Sequence, residues 1–408
     1  MRGISVGVDI GTTAITTVVA KREKRDGKFR ILGVGRVPVS GMRRGTIVDL
    51  EEVTRALSRS LHEAGREAKV KVRSATVGIG GSHLSSFATR GVVAVSRADG
   101  EITDEDVRRA LRAAEGFIPK NPNREVIHVI PHGFRVDGEA VLRDPFGLVG
   151  MKLEVETLVI DGARAALSNL VKCFESVDVD IEDWAVSALA AAETVLSKTQ
   201  KELGALFLDL GGGTTDFAIF EEGRLVDLGT FPIGGSHITS DIAIGLKTDI
   251  AVAEAVKRRY ARIGAKAAPK SEPIRLSEFR ADESGVTSER EVAEIVEARL
   301  SDIFELAARA LKRIGRAGLL PGGVILSGGG AELLGIRELA KRELALPAEV
   351  VNAVTLDAVE GTVREPLITA LALILWHASR HRLAYGGTLL PWSGFGARAK
   401  AFLRSFLP

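Results

Sequence analysis

Residues 205–220 read Ala205-Leu206-Phe207-Leu208-Asp209-Leu210-Gly211-Gly212-Gly213-Thr214-Thr215-Asp216-Phe217-Ala218-Ile219-Phe220. An apolar run enters an aspartate, a triple glycine and two threonines, and a second apolar run leaves. Both flanks are short and bounded by turn residues, so the unit reads as strand, Gly-rich turn, strand. Glu222-Gly223 supplies the next turn, and Leu225-Val226 continues in strand style. A P-loop would need a helix after the turn and a Lys-Ser or Lys-Thr ending, and the sequence offers neither. Glycines here let consecutive backbone N–H groups point into one concavity, which suits phosphate oxygens. Asp209, at the strand end, is placed to hold a hydrated Mg²⁺ against those phosphates. A single turn of this kind is ordinarily only a hairpin.

A second copy changes that reading. Val6-Gly7-Val8 leads into Asp9-Ile10-Gly11-Thr12-Thr13, and Ile15-Thr16-Thr17-Val18-Val19 follows. Two such hairpins, facing each other, would grip a polyphosphate from both sides, each with one aspartate for the metal. A third cluster, Ser327-Gly328-Gly329-Gly330-Ala331, follows the apolar run Val324-Ile325-Leu326 at a strand-to-helix junction. Close backbone approach there suits a flat nucleoside.

The set of three, in this order and spacing, resembles the actin-like ATPase superfamily. The expected fold is therefore α/β, of two lobes built on a duplicated sheet-and-helix core. The resemblance implies phosphate contacts at Asp9, Gly11, Thr12 and Thr13, and at Asp209, Gly211, Gly212, Gly213, Thr214 and Thr215. It implies adenosine contacts at Gly328, Gly329, Gly330 and Ala331, with ATP and Mg²⁺ as ligands and Asp9 and Asp209 as the metal's acids, through water. Ala253-Glu254-x-x-Lys257 matches a further family position, which puts Glu254 and Lys257 beside ribose and adenine; by spacing alone they are a solvated ion pair on one helical face.

Composition sets broad bounds. A chain of 408 residues, 45% hydrophobic and 26% charged, has room for two or more domains with full cores. The formal charge of +2 carries no message about nucleic acid. One cysteine, Cys173, excludes an internal disulfide framework and fits a reducing compartment, with packing as its role. The N-terminus reads as a strand, with no signal-peptide pattern. No apolar run reaches the roughly 20 residues that span a bilayer.

Residues 1–80 read as three strands, a helix over Asp49 to Ala64 and a buried strand at Ala75-Thr76-Val77-Gly78-Ile79. Residues 81–161 differ in flavour. Ser85 to Val95 alternates as a hairpin would. Thr103 to Asp106 is a capping box opening a helix. Val126 to Ile130 is a strand that Pro131 ends, and Asp137-Gly138 turns an exposed hairpin. His128 and His132 have no metal-binding partners at suitable spacing and read as structural. Met151 to Ile160 alternates again. The Gly81-Ser82-His83-Leu84-Ser85-Ser86 entrance and the Asp144-Pro145-Phe146-Gly147-Leu148 loop resemble the FtsA family of cell-division proteins, in which such an insert replaces an actin subdomain.

Helical patterns follow over Asp161 to Val177 and Trp184 to Leu196; the resemblance makes the second a hinge between lobes. Glu182 and Ser187, near that hinge, are the candidates for positioning an attacking water. Gly234-Gly235-Ser236-His237 again looks like the FtsA family, as a Gly-rich turn opening a helix. Ser288-Glu289-Arg290-Glu291 is a second capping box, and Leu367 to Ala372 begins a closing helix that crosses back to the first half. The domain boundaries expected are 1–80 with 162–195, the insert 81–161, 196–245 with 320–383, and a subdomain 246–319.

The tail carries its own signal. Residues 366–408 hold no acidic residue, and Gly386-Gly387 and Pro391 mark a linker over 384–393. Over 394–408, Phe395, Phe402, Leu403, Phe406 and Leu407 share about a third of a helical wheel, with Arg398, Lys400 and Arg404 around it. Such a helix lies in a membrane interface, and its cations favour anionic lipid. The FtsA resemblance implies a protein that binds ATP, polymerises head-to-tail and holds the tubulin-like FtsZ at the cytoplasmic face of the membrane at the division site. It gives 237–319 as the FtsZ contact region. Where many members carry lysine after the second threonine, this chain has Ala14, and hydrolysis is at most slow. The competing readings are a pilus-assembly actin homologue and a small-molecule kinase, the latter needing a general base for which Asp216 is nearest in sequence.

Overall fold

The computed structural model describes residues 3–141, 144–264 and 273–383, with side chains to residue 379. Two five-stranded sheets carry the molecule, and they share one topology. In the first, β1 (Ile4–Ile10), β2 (Ala14–Arg22) and β3 (Phe29–Pro38) form an antiparallel meander. A short hairpin, β4 (Met42–Arg43) and β5 (Thr46–Ile47), precedes helix α1 (Leu50–Ala68). Asp49 caps α1 by accepting the Glu52 N–H. β6 (Ser74–Ile79) then pairs parallel to β1.

The insert follows as a four-stranded sheet of order β7-β10-β8-β9, with helix α2 (Asp104–Gly116) against it. Its strands are β7 (Leu84–Ala94), β8 (Arg124–Val136), β9 (Glu139–Val141) and β10 (Lys152–Ala163). The Thr103–Asp106 capping box is present. Ser85 to Val95 is not a hairpin: residues 85–94 lie in one strand, β7, paired along its length with β10. Its Gly91 makes no turn; a Cβ there would sit 2.0 Å from the Ala110 carbonyl oxygen, so the glycine admits α2. Nor does Pro131 end its strand. β8 runs through it at a bulge, where Thr157 faces Pro131 and Glu156 faces Gly133, leaving His132 as the extra residue. His132 Nδ1 lies 3.0 Å from the Leu225 carbonyl. His128 is 2% exposed, takes the Val186 N–H at Nε2 and rests against Trp376, as a structural histidine should.

Helix α3 (Arg164–Ser176) starts later than its apolar spacing indicates, because 161–163 still belong to β10. Trp184 is not helical either. β11 (Asp180–Val186) completes the first sheet parallel to β6, and helix α4 begins only at Ser187 (Ser187–Val195). The first sheet has the order β11-β6-β1-β2-β3.

Helix α5 (Lys198–Leu203), capped by Ser197, leads into the second lobe. There β12 (Ala205–Leu210), β13 (Thr215–Glu221) and β14 (Arg224–Phe231) repeat the meander. Helices α6 (Gly235–Leu246) and α7 (Ile250–Tyr260), a small hairpin of β15 (Ile274–Arg275) and β16 (Val286–Thr287), and the long α8 (Glu289–Arg313) follow. Ser288 caps α8 through the Glu291 N–H, but the Glu291 side chain accepts from Thr287, so the expected box is only half made. β17 (Val324–Ser327) pairs parallel to β12, and helix α9 (Ile336–Leu344) leads to β18 (Ala348–Val350), giving the order β14-β13-β12-β17-β18. A hairpin of β19 (Ala353–Thr355) and β20 (Thr362–Arg364) precedes α10 (Ile368–Leu383). α10 returns to the first lobe, packing Ala372 and Leu373 against Ala185 and Ala190.

The lobes share buried apolar surface. Val8, Leu57, Phe174 and Leu189 of the first lobe belong to one continuous cluster with Phe207 and Phe220 of the second. The rest of the second lobe has its own core around Leu208, Ile242, Leu300 and Phe304. The insert also touches the second lobe directly. The Ser86 hydroxyl donates to the Leu228 carbonyl at 2.7 Å, and Arg224 donates to the Val141 carbonyl at 3.0 Å.

Candidate functional site

Duplicated topology puts equivalent turns at equivalent places. β1 and β12 are the central strands of their sheets, and each carries an aspartate one residue before its end, ahead of a turn into the next strand. The two turns meet. A Cβ on Gly212 would lie 2.3 Å from Thr13 Cγ2, and one on Gly213 would lie 2.5 Å from Thr12 Cγ2. Only glycine lets the second turn lie so close to the first. The Gly45 N–H donates to Thr12 Oγ1 at 3.3 Å, and the Val39 N–H to the Thr13 carbonyl at 3.1 Å. These bonds hold the first turn from behind.

The second turn is held by the start of α6. Gly235 N–H donates to the Gly211 carbonyl at 2.9 Å and Ser236 N–H to the Gly212 carbonyl at 2.7 Å. Thr214 donates to Asp216 Oδ2 at 3.1 Å. Thr215, expected as a phosphate ligand, is fully buried and donates its hydroxyl to the Ile233 carbonyl at 2.9 Å. Its side chain is committed to the fold.

Glu254 and Lys257 reach the same place. Lys257 Nζ donates to Thr239 Oγ1 at 2.7 Å and to the Gly235 carbonyl at 3.1 Å, and pairs with Glu254 at 2.6 Å. Glu254 also accepts from Thr239 and Arg258. The pair is therefore one network at the mouth of α6, beside the second turn. Four residues of the third turn, Gly329–Glu332, form a 3-10 turn, and Ala331 is buried in it. Gly328 has φ +82°, and a Cβ there would lie 2.2 Å from Asp209 Oδ1. A Cβ on Gly329 would meet no atom within 4 Å.

Electrostatics mark the centre of the cleft. Burial pushes the Asp9 carboxyl up to about 6; the Ser187 hydroxyl, donating at 2.9 Å, opposes this, and the Glu365 and Asp216 charges add to it. Asp209 is held well above the usual carboxylate range by burial and then by the charges of Glu365, Asp216 and Asp9. Burial pushes Asp216 to about 6 against hydrogen bonds from Thr230 and Thr214. The charges that act most on Asp209 are all acidic. Four acids coupled in this way fit a cation. Among the described residues no three such side chains converge on one point, and an ion held through its own waters needs no such convergence.

Ser187 is thus joined to Asp9 by its hydroxyl. Glu182 is not. It lies near the start of β11, receives the Ser74 hydroxyl at 3.4 Å, and sits 4.0 Å from His377, at the end of the sheet away from Asp9. Sequence reasoning missed Glu365, whose Oε1 accepts the Ser327 hydroxyl at 2.7 Å and the Gly328 N–H at 3.2 Å. It also missed Thr230, which donates to Asp216 from β14. Neither sits in a motif, and only the fold brings them in. The tail residues Phe395 to Leu407 and the linker lie outside the described residues. No helix among the described residues is long and apolar enough to cross a membrane.

Comparison with known proteins agrees with this architecture. A family model described as cell division protein FtsA matches residues 206–372, and one described as the SHS2 domain inserted in FtsA matches residues 81–161. The chain is 36% identical over 337 residues to cell division protein FtsA of Bacillus subtilis, covering 82% of this chain and 76% of the relative. It is 33% identical over 373 residues to that of Pseudomonas aeruginosa, covering 91% and 88%. Among solved structures, the PilM–PilN type IV pilus biogenesis complex matches with TM-score 0.65 at 17% identity, over 91% of this chain and 98% of the matched one. MreB5 of Spiroplasma citri bound to ADP matches with TM-score 0.56 at 14% identity, over 94% and 99%. These structural likenesses show the actin-like ATPase fold that the three turns led us to expect. The identities, over most of both chains, show that this protein belongs to the FtsA family of cell division proteins.

Proposed function

We propose that the protein binds ATP with Mg²⁺ between its lobes, assembles head-to-tail into filaments of its own kind, and tethers an FtsZ-like partner to the cytoplasmic face of the membrane at the division site. The observation that carries the nucleotide part is the meeting of two glycine turns beside the coupled acids Asp9, Asp209 and Asp216. Phosphates would take the N–H groups of Thr12 and Thr13 and of Gly212 to Thr214, since the Gly11 N–H is donated to the Ala14 carbonyl and the Gly211 N–H to the Asp209 carbonyl. Asp9 and Asp209 would hold the hydrated Mg²⁺, which neutralises phosphate charge when bound. Ser187 keeps the Asp9 carboxylate oriented. The nucleoside would lie along Gly328 to Ala331, with the Glu254–Lys257 network at its other side. Ala14 stands where many members of the family carry lysine, so a cationic phosphate contact is lacking and turnover is slow.

The partner surface is drawn from the same lobe. α6 and α8 border a groove of about 310 Å³ lined by Ile244, Ile295, Arg299 and Asp302, and Ile244 is 75% exposed. An apolar floor with charges at its rim suits a short amphipathic segment of FtsZ. The basic amphipathic segment 394–408 would supply the membrane contact. The experiment is co-sedimentation with FtsZ and anionic liposomes, with Mg²⁺-ATP present or omitted. The reading expects ATP-dependent pelleting of the protein and recruitment of FtsZ to the lipid. Pelleting that ignores ATP, with no FtsZ recruited, would count against it.

A further inference from the structure

Glu365 precedes the closing helix, outside all three glycine turns. One oxygen, Oε1, accepts both the Ser327 hydroxyl and the Gly328 N–H. Its own N–H donates to the Asn352 carbonyl at 3.0 Å. Gly328 is the residue whose left-handed backbone lies against Asp209. The side chain therefore pins the third turn at the point where that turn touches the metal acid of the second lobe. Three residues further on, α10 begins and lies on the first sheet. Glu365 is thus a strut between the nucleoside-side turn and the element that returns to the other lobe.

The choice of an acid is informative. A glutamine would accept the same two hydrogen bonds through its amide oxygen. It would not add a negative charge to a cleft that already holds Asp9, Asp209 and Asp216. That charge bears on both metal acids, pushing Asp9 and Asp209 up. Resting on the ATP reading above, we propose that Glu365 is a positioning residue for bound nucleotide: it sets the Ser327–Gly328 turn against the nucleoside, and its charge makes nucleotide binding depend on the metal.

Two variants separate the two roles. Glu365→Gln keeps the acceptor and loses the charge; Glu365→Ala loses both. Full-length protein is titrated with a fluorescent ATP analogue in Mg²⁺ and in EDTA, with Glu360→Gln as an exposed control in the same segment. Circular dichroism checks that each variant folds. With Glu365→Gln, affinity in Mg²⁺ stays within about threefold of the parent, while affinity in EDTA rises about tenfold, because one repulsive charge near the phosphates is gone. With Glu365→Ala, affinity falls about tenfold in both conditions, since the Gly328 N–H and the Ser327 hydroxyl are left unheld. If Glu365→Gln shows the parent's metal dependence, the charge role is wrong. If Glu365→Ala binds as the parent does, the positioning role is wrong. Failure of the parent itself to bind any analogue would instead overturn the ATP reading on which the inference stands.

Discussion

Asp9→Asn separates what this acid does for the fold from what it does for a ligand. Asparagine keeps an Oδ1 to accept the Ser187 hydroxyl, so the local geometry survives. What goes is a charge whose pKa stands at about 6 in the fold against 3.8 ordinarily. Ionising such a group costs about 3 kcal/mol if it is fully buried. Asp9 is partly reached by water, which brings the figure to about 1–2 kcal/mol. The sign follows from linkage. A carboxyl raised in the folded state burdens stability as pH climbs from 3.8 to about 6; the burden is complete above that and absent below 3.8. Ligand-free Asp9→Asn should therefore melt higher than the parent at pH 8, by about 1–4 °C, with roughly half that gain at pH 5. Saturating Mg²⁺-ATP should reverse the order, because ligand at about a hundred times its Kd stabilises the parent by about 2.7 kcal/mol and the variant by less. Differential scanning calorimetry at several pH values, with and without Mg²⁺-ATP, reads all of this. A ligand-free variant less stable than the parent at pH 8 would refute the reasoning, since Asp9 would then be serving the fold.

Three further outcomes follow from the same geometry. Gly329→Leu, where an added Cβ meets no atom within 4 Å, should leave the melting temperature nearly unchanged yet weaken binding of a fluorescent ATP analogue by about a hundredfold or more through steric exclusion. Ile244→Asp should cost little stability, because the side chain is exposed, and should abolish FtsZ co-sedimentation while nucleotide binding persists. Deleting 394–408 should end pelleting with acidic liposomes and leave nucleotide affinity intact; undiminished lipid binding would show that the tail is not the anchor.

The fold was legible where its signals are local. Asp9-Ile10-Gly11-Thr12-Thr13 and Asp209 to Thr215 announce themselves because strand, glycine and threonine stand side by side, and their repetition implies two matching sheets. β11 was hidden because Asp180-Ile181-Glu182-Asp183 interleaves acids with few apolar residues before an alanine run that continues as α4. The hairpin pattern over 85–95 and Pro131 misled for a related reason. The first is one long strand paired with β10 and the second occupies a bulge, and both facts depend on neighbours distant in sequence. The same limit applies at the cleft. Asp9, Asp209 and the glycines could be named from the chain, but Glu365 joins Ser327 across 38 positions and Thr230 joins Asp216 through strand pairing. Glu182 shows the opposite error, since nearness to Ser187 in sequence became distance once β11 turned into α4.

The central claim is that two glycine turns close on one Mg²⁺-bound triphosphate. A co-crystal structure with Mg²⁺ and a non-hydrolysable ATP analogue tests it most directly. The account predicts phosphate density between Gly11–Thr13 and Gly211–Thr214, with the metal's waters on Asp9 and Asp209. Analogue bound elsewhere on the molecule, with those two turns still packed against each other as Thr13 and Gly212 are here, would contradict it.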